Sequence, residues 1–338
     1  MTQEGTYNKI IRLKHIDALR GIASFMVFML HVSVNPVFSW FNSVKLSNLF
    51  QFGKYGVDIF FVISGFVIPY AMFTRGFSLR KDFRSFFLRR LTRIELPYVV
   101  SIAFVLLLTY LSASSSLYQG QKNIQIDFSN IPAHLTYTNY FFGKPYFNDV
   151  YWTLAIEIQY YIFVCFIFRY ILQKEEWVFV LLLLFINIPA IFLKEYLILP
   201  RYLPIFSVGF LLLRNITGHQ PNNPAFVYVI LFALLLFNVY INGMASSVFT
   251  LLAFCWIRLN HINYPSWLLW LGKISFSLYL IHIPVSSRIQ NLASRFIPHS
   301  TVYALLIIIS TIAITLFIAW VYFLLIEQPF QKLSKKIA

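Results

Sequence analysis

Long apolar segments dominate the sequence and constrain the fold more than any other feature. About ten of them approach the length of roughly 20 residues that an α-helix needs to cross a bilayer. Because 59% of the residues are hydrophobic and only 12% are charged, a soluble fold is excluded. We therefore predict an all-α fold, a polytopic integral membrane helical bundle of about ten transmembrane helices. The segments lie at 16–37, 56–73, 95–112, 150–171, 177–193, 198–213, 225–241, 246–259, 267–286 and 302–326.

The distribution of charge and cysteine excludes several classes of function. A net charge of +15 would suggest a nucleic-acid partner in a soluble chain. Here most of the 27 lysines and arginines fall on one side of the predicted bundle, as cytoplasmic loops of membrane proteins require. The net charge is therefore explained without nucleic acid. Cys165 and Cys255 both lie in apolar segments, so we expect neither a disulfide framework nor a metal site.

One membrane domain accounts for the chain. The charge bias and an even number of helices predict that both termini are cytoplasmic. Residues 1–15 form a basic tail, residues 16–331 form the transmembrane domain, and residues 332–338 form a second short tail. The longest segment outside the predicted helices, 113–149, falls on the extracytoplasmic side. A segment of this length is either a functional loop or a connector, and the sequence leaves both open.

The first predicted helix carries polar side chains where lipid tolerates few. Arg20 and His31 are separated by eleven positions, which is close to three helical turns, so both project from one face roughly 16 Å apart along the axis. Ionisable groups inside membrane helices usually face a bundle interior or a watery cavity and mark a functional site. This pair is therefore the first candidate site.

Three further ionisable residues on other helices are predicted to lie at a depth similar to that of His31, in the outer half of the bilayer. Asp58 could instead complement the positive end of its helix, and His282 could be a core histidine bonded to a carbonyl group. Glu157 could belong to a structural ion pair. The neighbouring pair at positions 64 and 65, Ser64 and a glycine, indicates close helix packing rather than a nucleophile.

A basic cluster follows the second predicted helix. Seven lysines and arginines, including Arg89, Arg90 and Arg93, are predicted to lie in the cytoplasmic loop between the second and third helices. Anionic lipid would explain such a cluster. A phosphate site would explain it too, because guanidinium groups bind phosphate oxygens in bidentate geometry.

Six short motifs occur along the chain, from the first helix to the last. They are Asp17-Ala18-Leu19-Arg20-Gly21 with His31, the run from Gly56 through Asp58 to Ser64-Gly65, the segment Phe86 to Arg93, Trp152-Thr153-Leu154 with Glu157, the run Ile274 to Tyr279 with His282, and Ile326-Glu327-Gln328-Pro329-Phe330. In this order they resemble the acyltransferase type 3 family of bacterial integral membrane O-acyltransferases.

The resemblance implies transfer of an acyl group, commonly acetyl, from cytoplasmic acetyl-CoA. The acceptor would be a hydroxyl group of a cell-surface glycan or a lipid-linked saccharide, and the enzyme would lie in the bacterial cytoplasmic membrane as a multi-pass protein. The family's arginine-to-histidine motif maps onto Arg20 and His31, and its arginine pair maps onto Arg90 and Arg93. Acyl-CoA is expected as the donor substrate, with no metal.

The predicted depths of the polar side chains in the bilayer and the family resemblance together suggest a mechanism. Arg20 and the basic cluster would hold the CoA phosphates at the cytoplasmic mouth. His31 would act as a general base on the acceptor hydroxyl, or as an acyl carrier. Asp58 or Glu157 would orient its second ring nitrogen, as the acid does in a hydrolase triad.

Several alternatives remain open at this point. Other candidate site positions, taken from the same motifs, are Asp17, Ser64, Trp152, Tyr279 and His282. The main rival function is a transporter or flippase for a lipid-linked sugar or a small anion, because buried charges and proline-broken helices would suit it. A non-catalytic membrane partner of a glycan-assembly complex is the third.

Overall fold

The computed structural model describes residues 14–41, 43–115, 127–172, 175–194, 196–217, 224–258 and 263–337. Within these ranges the regular elements are helices and no strand occurs, which confirms the all-α prediction. Residues 1–13 of the predicted basic tail and residues 116–126 of the predicted outer loop lie outside the described residues.

The α-helices in chain order are α1 (Lys14–Ser33), α2 (Pro36–Ser39), α3 (Val44–Gln51), α4 (Gly56–Phe73), α5 (Leu79–Ser114), α6 (Ile131–Leu135), α7 (Trp152–Ile171), α8 (Glu176–Asn187), α9 (Pro189–Leu193), α10 (Ile198–Ile216), α11 (Pro224–Asn242), α12 (Met244–Arg258), α13 (Ser266–Lys273), α14 (Ser275–Phe296), α15 (Thr301–Tyr322) and α16 (Gln328–Ser334). Two short 3-10 helices span Phe52–Tyr55 and Phe128–Asn130, and a π-helical turn spans Phe323–Glu327.

Multi-pass membrane topology is confirmed by the length and apolarity of these helices. Within the described ranges, seven helical stretches are long and apolar enough to cross a bilayer, and α13 with α14 makes an eighth if that bent pair is one span. The shorter apolar helix α12 and the helix α10 coincide with two more of the predicted segments. The count of about ten spans and the cytoplasmic position of both termini stay predictions.

Two predicted boundaries are wrong, and both errors have a physical reason. The basic cluster does not form a loop: α5 begins at Leu79, so Arg89, Arg90 and Arg93 lie on its N-terminal half. Hydropathy detects only the part of a helix that lies in lipid, whereas arginine, lysine and leucine also favour helix in water. The segment predicted at 267–286 is interrupted at Ile274, and α14 continues to Phe296.

The chain divides into two compact units. Unit 1 comprises Met1–Ala23, Lys54–Arg84 and Ile156–Lys273, and unit 2 comprises Ser24–Gly53, Ser85–Ala155 and Ile274–Ala338.

In unit 1, α4 and α10 pack so closely that their backbones touch. A β-carbon added to Gly65 would lie 2.3 Å from the Phe206 carbonyl oxygen, and one added to Gly209 would lie 2.4 Å from the Gly65 carbonyl carbon. Tyr160 of α7 stacks on Phe206 with ring centroids 3.9 Å apart. The sequence-based interpretation of positions 64 and 65 as a packing site is therefore confirmed, since small residues let membrane helices approach.

A second close approach in unit 1 explains two motif residues at the start of α1. A β-carbon on Gly272 would lie 1.8 Å from the Asp17 carbonyl oxygen, and one on Gly21 would lie 2.9 Å from the Gly272 backbone nitrogen. The indole nitrogen of Trp256 also donates a hydrogen bond to the His15 carbonyl oxygen at 3.0 Å. The first turns of α1 are thus held against α13 and α12 by backbone contacts.

In unit 2, α14 and α15 form a helical hairpin that is fastened at its end by a buried carboxylate. Glu327, 3% exposed, accepts hydrogen bonds from the Ser277 backbone nitrogen at 3.1 Å and from the Ser277 hydroxyl. Its other oxygen accepts from the Gln331 amide at 2.6 Å. Because a buried carboxylate needs such partners, the motif containing Glu327 is explained by structure.

Candidate active site

His31 and His282 lie side by side in unit 2. His31 occupies the last turn of α1 and is half-buried, whereas His282 lies on α14 and is fully buried. Their ring centroids are 5.2 Å apart and their planes are inclined by 48°. The Phe28 ring packs edge-on against His282 at 5.9 Å. Two of the predicted site residues are thus brought together.

The hydrogen bonds of His282 fix its tautomer. Its Nδ1 lies 3.0 Å from the Leu278 carbonyl oxygen and 2.9 Å from the Tyr279 carbonyl oxygen. Because carbonyl oxygens only accept hydrogen bonds, Nδ1 carries a hydrogen, and in the neutral ring that full burial favours, Nε2 carries the lone pair. Nε2 is buried and has no hydrogen-bond partner within the described part of the chain. The predicted contact of His282 with a carbonyl group is confirmed, yet it uses only one of the two nitrogens.

One backbone carbonyl of α14 near His282 lacks a donor within the helix and is paired by residues 127–150, hereafter the outer segment. Pro284 has no N–H group, so the Leu280 carbonyl, four residues earlier, has no donor within the helix. The Asn148 side-chain amide donates to that carbonyl at 3.0 Å. Asn148 is 4% exposed and was missed in the sequence, although a proline inside an apolar helix signals that a carbonyl needs an outside donor.

Tyr279 anchors the same part of α14 to the start of α7. Its hydroxyl lies 2.7 Å from the Thr153 hydroxyl and donates to the Val150 carbonyl at 3.3 Å. Trp152, the first residue of α7, is half-buried. Tyr279 therefore holds this part of α14 against the start of α7. Trp152 directly precedes Thr153, which contacts the Tyr279 hydroxyl.

A carboxylate missed in the sequence is Asp149. It is exposed, and its negative charge acts on His31. It follows Asn148 directly, so one short stretch supplies both the amide that completes α14 and a charge that acts on His31. The dipeptide lies in an irregular segment, where no helical or strand periodicity could single it out.

His134 holds the outer segment of unit 2 against α5. Its Nδ1 lies 2.9 Å from the Tyr98 hydroxyl, and the Phe147 backbone nitrogen donates to its Nε2 at 3.2 Å. Its ring also stacks on Phe147 with centroids 4.3 Å apart. Burial lowers the pKa of His134 from its usual value near 6.5 to about 4, so the ring is neutral at neutral pH.

The predicted phosphate ligands of unit 2 lie on α5 but differ in their surroundings. Arg89 donates to the Ile337 carbonyl oxygen at 2.8 Å. The Arg90 guanidinium lies over the Phe86 ring at 5.5 Å, and Arg93 is exposed. Arg89 therefore helps to fasten the C-terminal end, while Arg93 faces solvent.

In unit 1, Asp58 belongs to a hydrogen-bonded polar network. It is 7% exposed and lies in the first turn of α4, within hydrogen-bonding range of Ser246. The Asn238 amide donates to the Ser246 hydroxyl at 3.1 Å, and positive charges on Arg201 and Lys54 act on the carboxylate. Such partners are what a buried acid requires.

The other predicted residues of unit 1 have separate surroundings. Glu157 is half-buried and accepts a hydrogen bond from Tyr161, one turn later on α7. Arg20 is half-buried, and its Nε atom is buried without a hydrogen-bond partner among the described residues. Asp17 and Ser64 are half-buried as well. That Asp58 or Glu157 orients His31 stays a prediction.

Comparison with known proteins gives the family. A family model described as an acyltransferase domain matches residues 13–320. "Putative peptidoglycan O-acetyltransferase YrhL" of Bacillus subtilis (strain 168) is 30% identical over 163 residues, which cover 46% of this chain and 24% of that protein. The chain thus spans about a quarter of the length of that curated relative. No solved structure matches it. The chain belongs to the acyltransferase type 3 family of membrane O-acyltransferases.

Proposed function

We propose that this protein transfers an acyl group, acetyl in the first instance, from cytoplasmic acyl-CoA to a hydroxyl group of an extracytoplasmic glycan. The acceptor oxygen attacks the thioester carbonyl, a C–O bond forms and the C–S bond breaks. The hydroxyl proton passes to His31 and then to the CoA sulfur, so that CoA leaves as a free thiol. His31 acting first as an acyl carrier is the variant of this mechanism.

The observation that carries the proposal is the imidazole pair of His31 and His282. An imidazole on a membrane helix is costly and marks a functional site when it is not fully engaged in structure. His31 is half-buried, so a substrate can reach it, and His282 Nε2 is a buried lone pair with no partner among the described residues. A neutral imidazole of this kind can take a proton from a hydroxyl group.

Arginines support a CoA donor. α5 is 36 residues long. At about 1.5 Å per residue it is longer than a hydrocarbon core of about 30 Å, so one end extends into water. Under the predicted orientation that end carries Arg90 and Arg93 and is cytoplasmic. Guanidinium groups there would bind the CoA phosphates, and Arg20, whose buried Nε has no hydrogen-bond partner among the described residues, would act with them.

The proposed acceptor is a cell-envelope glycan, either polymeric or lipid-linked, on the extracytoplasmic side of the bacterial cytoplasmic membrane. The name of the Bacillus relative, a peptidoglycan O-acetyltransferase, supports this class of acceptor. Unit 2 contributes residues 127–150, and within this segment Asn148 donates to the Leu280 carbonyl of α14 while the charge of Asp149 acts on His31.

The proposal is tested with full-length protein in proteoliposomes. Soluble peptidoglycan fragments are enclosed in the vesicles, acetyl-CoA labelled in the acetyl group is added outside, and free thiol and acetylated fragments are measured. Protein molecules whose cytoplasmic face points outward then meet donor and acceptor on the sides that the proposal assigns to them. We expect equal amounts of thiol and alkali-labile acetyl ester with the wild type, and neither product with His31→Ala. Fragments that stay unmodified while thiol is released would keep the donor and reject this acceptor. Absence of thiol release by the wild type would reject the enzyme.

A transporter or flippase for a lipid-linked sugar or small anion is the second candidate. Interrupted membrane helices favour it, because such breaks often line a translocation path, and here α8 ends before α9 at Ile188 and α13 ends before α14 at Ile274. Under this alternative the protein moves its cargo without consuming acetyl-CoA. The thiol assay therefore decides between the two.

A further inference from the structure

We propose that His282 is the residue that positions His31. In this proposal Nε2 of His282 accepts a hydrogen bond from one ring N–H of His31, which leaves the lone pair of His31 on the opposite nitrogen, towards the substrate. The inference rests on the proposed function, in which His31 is the base. It replaces the carboxylate expected in a triad with a neutral imidazole.

The first step is the fixed tautomer of His282. The two backbone carbonyls at 3.0 and 2.9 Å hold the hydrogen on Nδ1. The lone pair on Nε2 follows because a ring that is fully buried in an apolar helix bundle is neutral, and a neutral imidazole carries only one hydrogen. His282 therefore presents an acceptor and no donor at that nitrogen, and it can only pair with an N–H or O–H group.

The second step is the short distance between the rings of His282 and His31. A centroid separation of 5.2 Å lets two imidazole nitrogens come within hydrogen-bonding distance after a small rotation of the rings. Since His282 is held by its two carbonyls and by the Phe28 ring, the rotation in this proposal is made by the half-buried His31 ring. A buried acceptor without a partner is costly, so a partner at this place is favoured.

The third step is charge. Two imidazoles this close in a poorly solvated site hold at most one positive charge between them. When His31 takes the hydroxyl proton it becomes cationic, and its N–H bond to the neutral His282 becomes stronger. The Asp149 charge acts on His31 and stabilises the same cation. Both neighbours thus favour the charge that develops during the reaction.

The fourth step concerns the carboxylates expected from the sequence. Asp58 already has Ser246 and nearby positive charges, and Glu157 already accepts from Tyr161. Both belong to unit 1, whereas His31 and His282 belong to unit 2. The proposed pair is complete within unit 2 and requires neither acid.

Two substitutions at His282 separate positioning from a structural role. Gln places an oxygen acceptor where Nε2 lies but has no N–H at the Nδ1 position. Asn places an N–H donor near the Nδ1 position, for the Leu278 and Tyr279 carbonyls, but has no acceptor further out. A positioning role therefore predicts that His282→Gln is the more active variant, and a structural role predicts the reverse.

The experiment measures kcat and KM for acetyl-CoA, and the unfolding temperature, of both variants in detergent. We expect His282→Asn to lose roughly 10²-fold in kcat with KM unchanged, and His282→Gln to stay within about tenfold of the wild type. Equal activity of the two variants, or a more active Asn variant, would overturn the proposal. If the Gln variant does not fold, unchanged kcat in a folded Asn variant overturns it alone.

Two controls keep this inference distinct from the proposed function. Thiol release by the wild type and its loss in His31→Ala test the function itself. If these hold while the His282 variants behave alike, His31 remains the base and the positioning role of His282 is rejected. If the wild type releases no thiol, the proposed function is rejected before His282 is considered.

Discussion

Unit 2 contains two fully buried histidines, and they differ in how completely their ring nitrogens are paired. His134, in the outer segment, uses both nitrogens, one with Tyr98 and one with Phe147. His282, on α14, uses Nδ1 alone and leaves Nε2 without a partner in the described chain. Both side chains are fully buried, so burial alone does not distinguish a purely structural histidine from one proposed to position a catalytic residue.

The difference shows that unfilled hydrogen-bonding capacity is the more informative signal. Folded proteins pair nearly all buried polar atoms, and an exception needs an explanation. His134 needs none, because its bonds fasten the outer segment to α5. The ring of His282 lies 5.2 Å from the ring of His31, centroid to centroid, and the proposed arrangement gives its Nε2 that neighbour as a hydrogen-bond donor.

The largest expected effect comes from removing the His31 imidazole. His31→Ala should lower kcat by roughly 10³-fold, because general base catalysis contributes 10²- to 10⁴-fold. Its unfolding temperature should stay close to that of the wild type, since the ring is half-buried. The matched control is His299→Ala, at an exposed histidine that stacks on Trp40. A comparable loss of kcat in both variants would contradict the role of His31 as the general base.

Two arginines of α5 also differ in their surroundings. Arg89 is engaged by the Ile337 carbonyl, and Arg93 is exposed. Arg93→Ala should raise the KM for acyl-CoA by about tenfold with kcat retained, because it removes a charged contact to phosphate. Arg89→Ala should change KM less. Arg169→Ala, at an exposed arginine of α7, is the control, and an equal rise there would point to a general charge effect.

A third prediction concerns the fastening of the outer segment. His134→Phe keeps a ring that stacks on Phe147 but leaves the Tyr98 hydroxyl and the Phe147 N–H without their partner. Each unpaired buried group costs about 1–3 kcal/mol, so the variant should unfold at lower temperature. Proteolysis should cleave residues 127–150 more readily, while kcat per folded molecule is retained. An unchanged unfolding temperature would contradict the fastening role.

The smallest effect is a pH dependence of stability. Burial depresses the pKa of His134 to about 4 in the folded protein, below its usual value near 6.5. Between these values the unfolded chain binds a proton that the folded chain does not, so stability is complete above about pH 6.5 and falls as the pH drops towards 4. Unfolding temperatures measured across this range should fall more steeply for the wild type than for His134→Phe. Identical slopes would exclude His134 as the cause.

Much of the membrane architecture could be predicted because apolar length is a strong signal. The second predicted segment, 56–73, has the same ends as α4, and the packing role of positions 64 and 65 was found from residue size alone. The charged half of α5 was missed because hydropathy marks lipid contact rather than helix. The break at Ile274 was missed because the apolar residues before and after it together have the length of one membrane span.

The candidate site was predictable only in part. His31 and His282 stood out as polar residues in apolar helices, which is a rare pattern. Asn148 and Asp149 lie in an irregular segment, and the bond from Asn148 to Leu280 joins positions 132 residues apart. His134 lies in the predicted loop 113–149, where no pattern singled it out. Such partners are specified by the folded chain and not by local spacing.

The bond between Asn148 and the Leu280 carbonyl has a consequence for redesign of the enzyme. It joins the outer segment to α14 at the one carbonyl that Pro284 leaves without a donor because proline lacks an N–H. A chimaera that exchanges residues 127–147 for those of a relative, but keeps Asn148 and Pro284, would retain the backbone around His282. Exchange of this segment could then change the acceptor preference, while the residues proposed for acyl transfer stay the same.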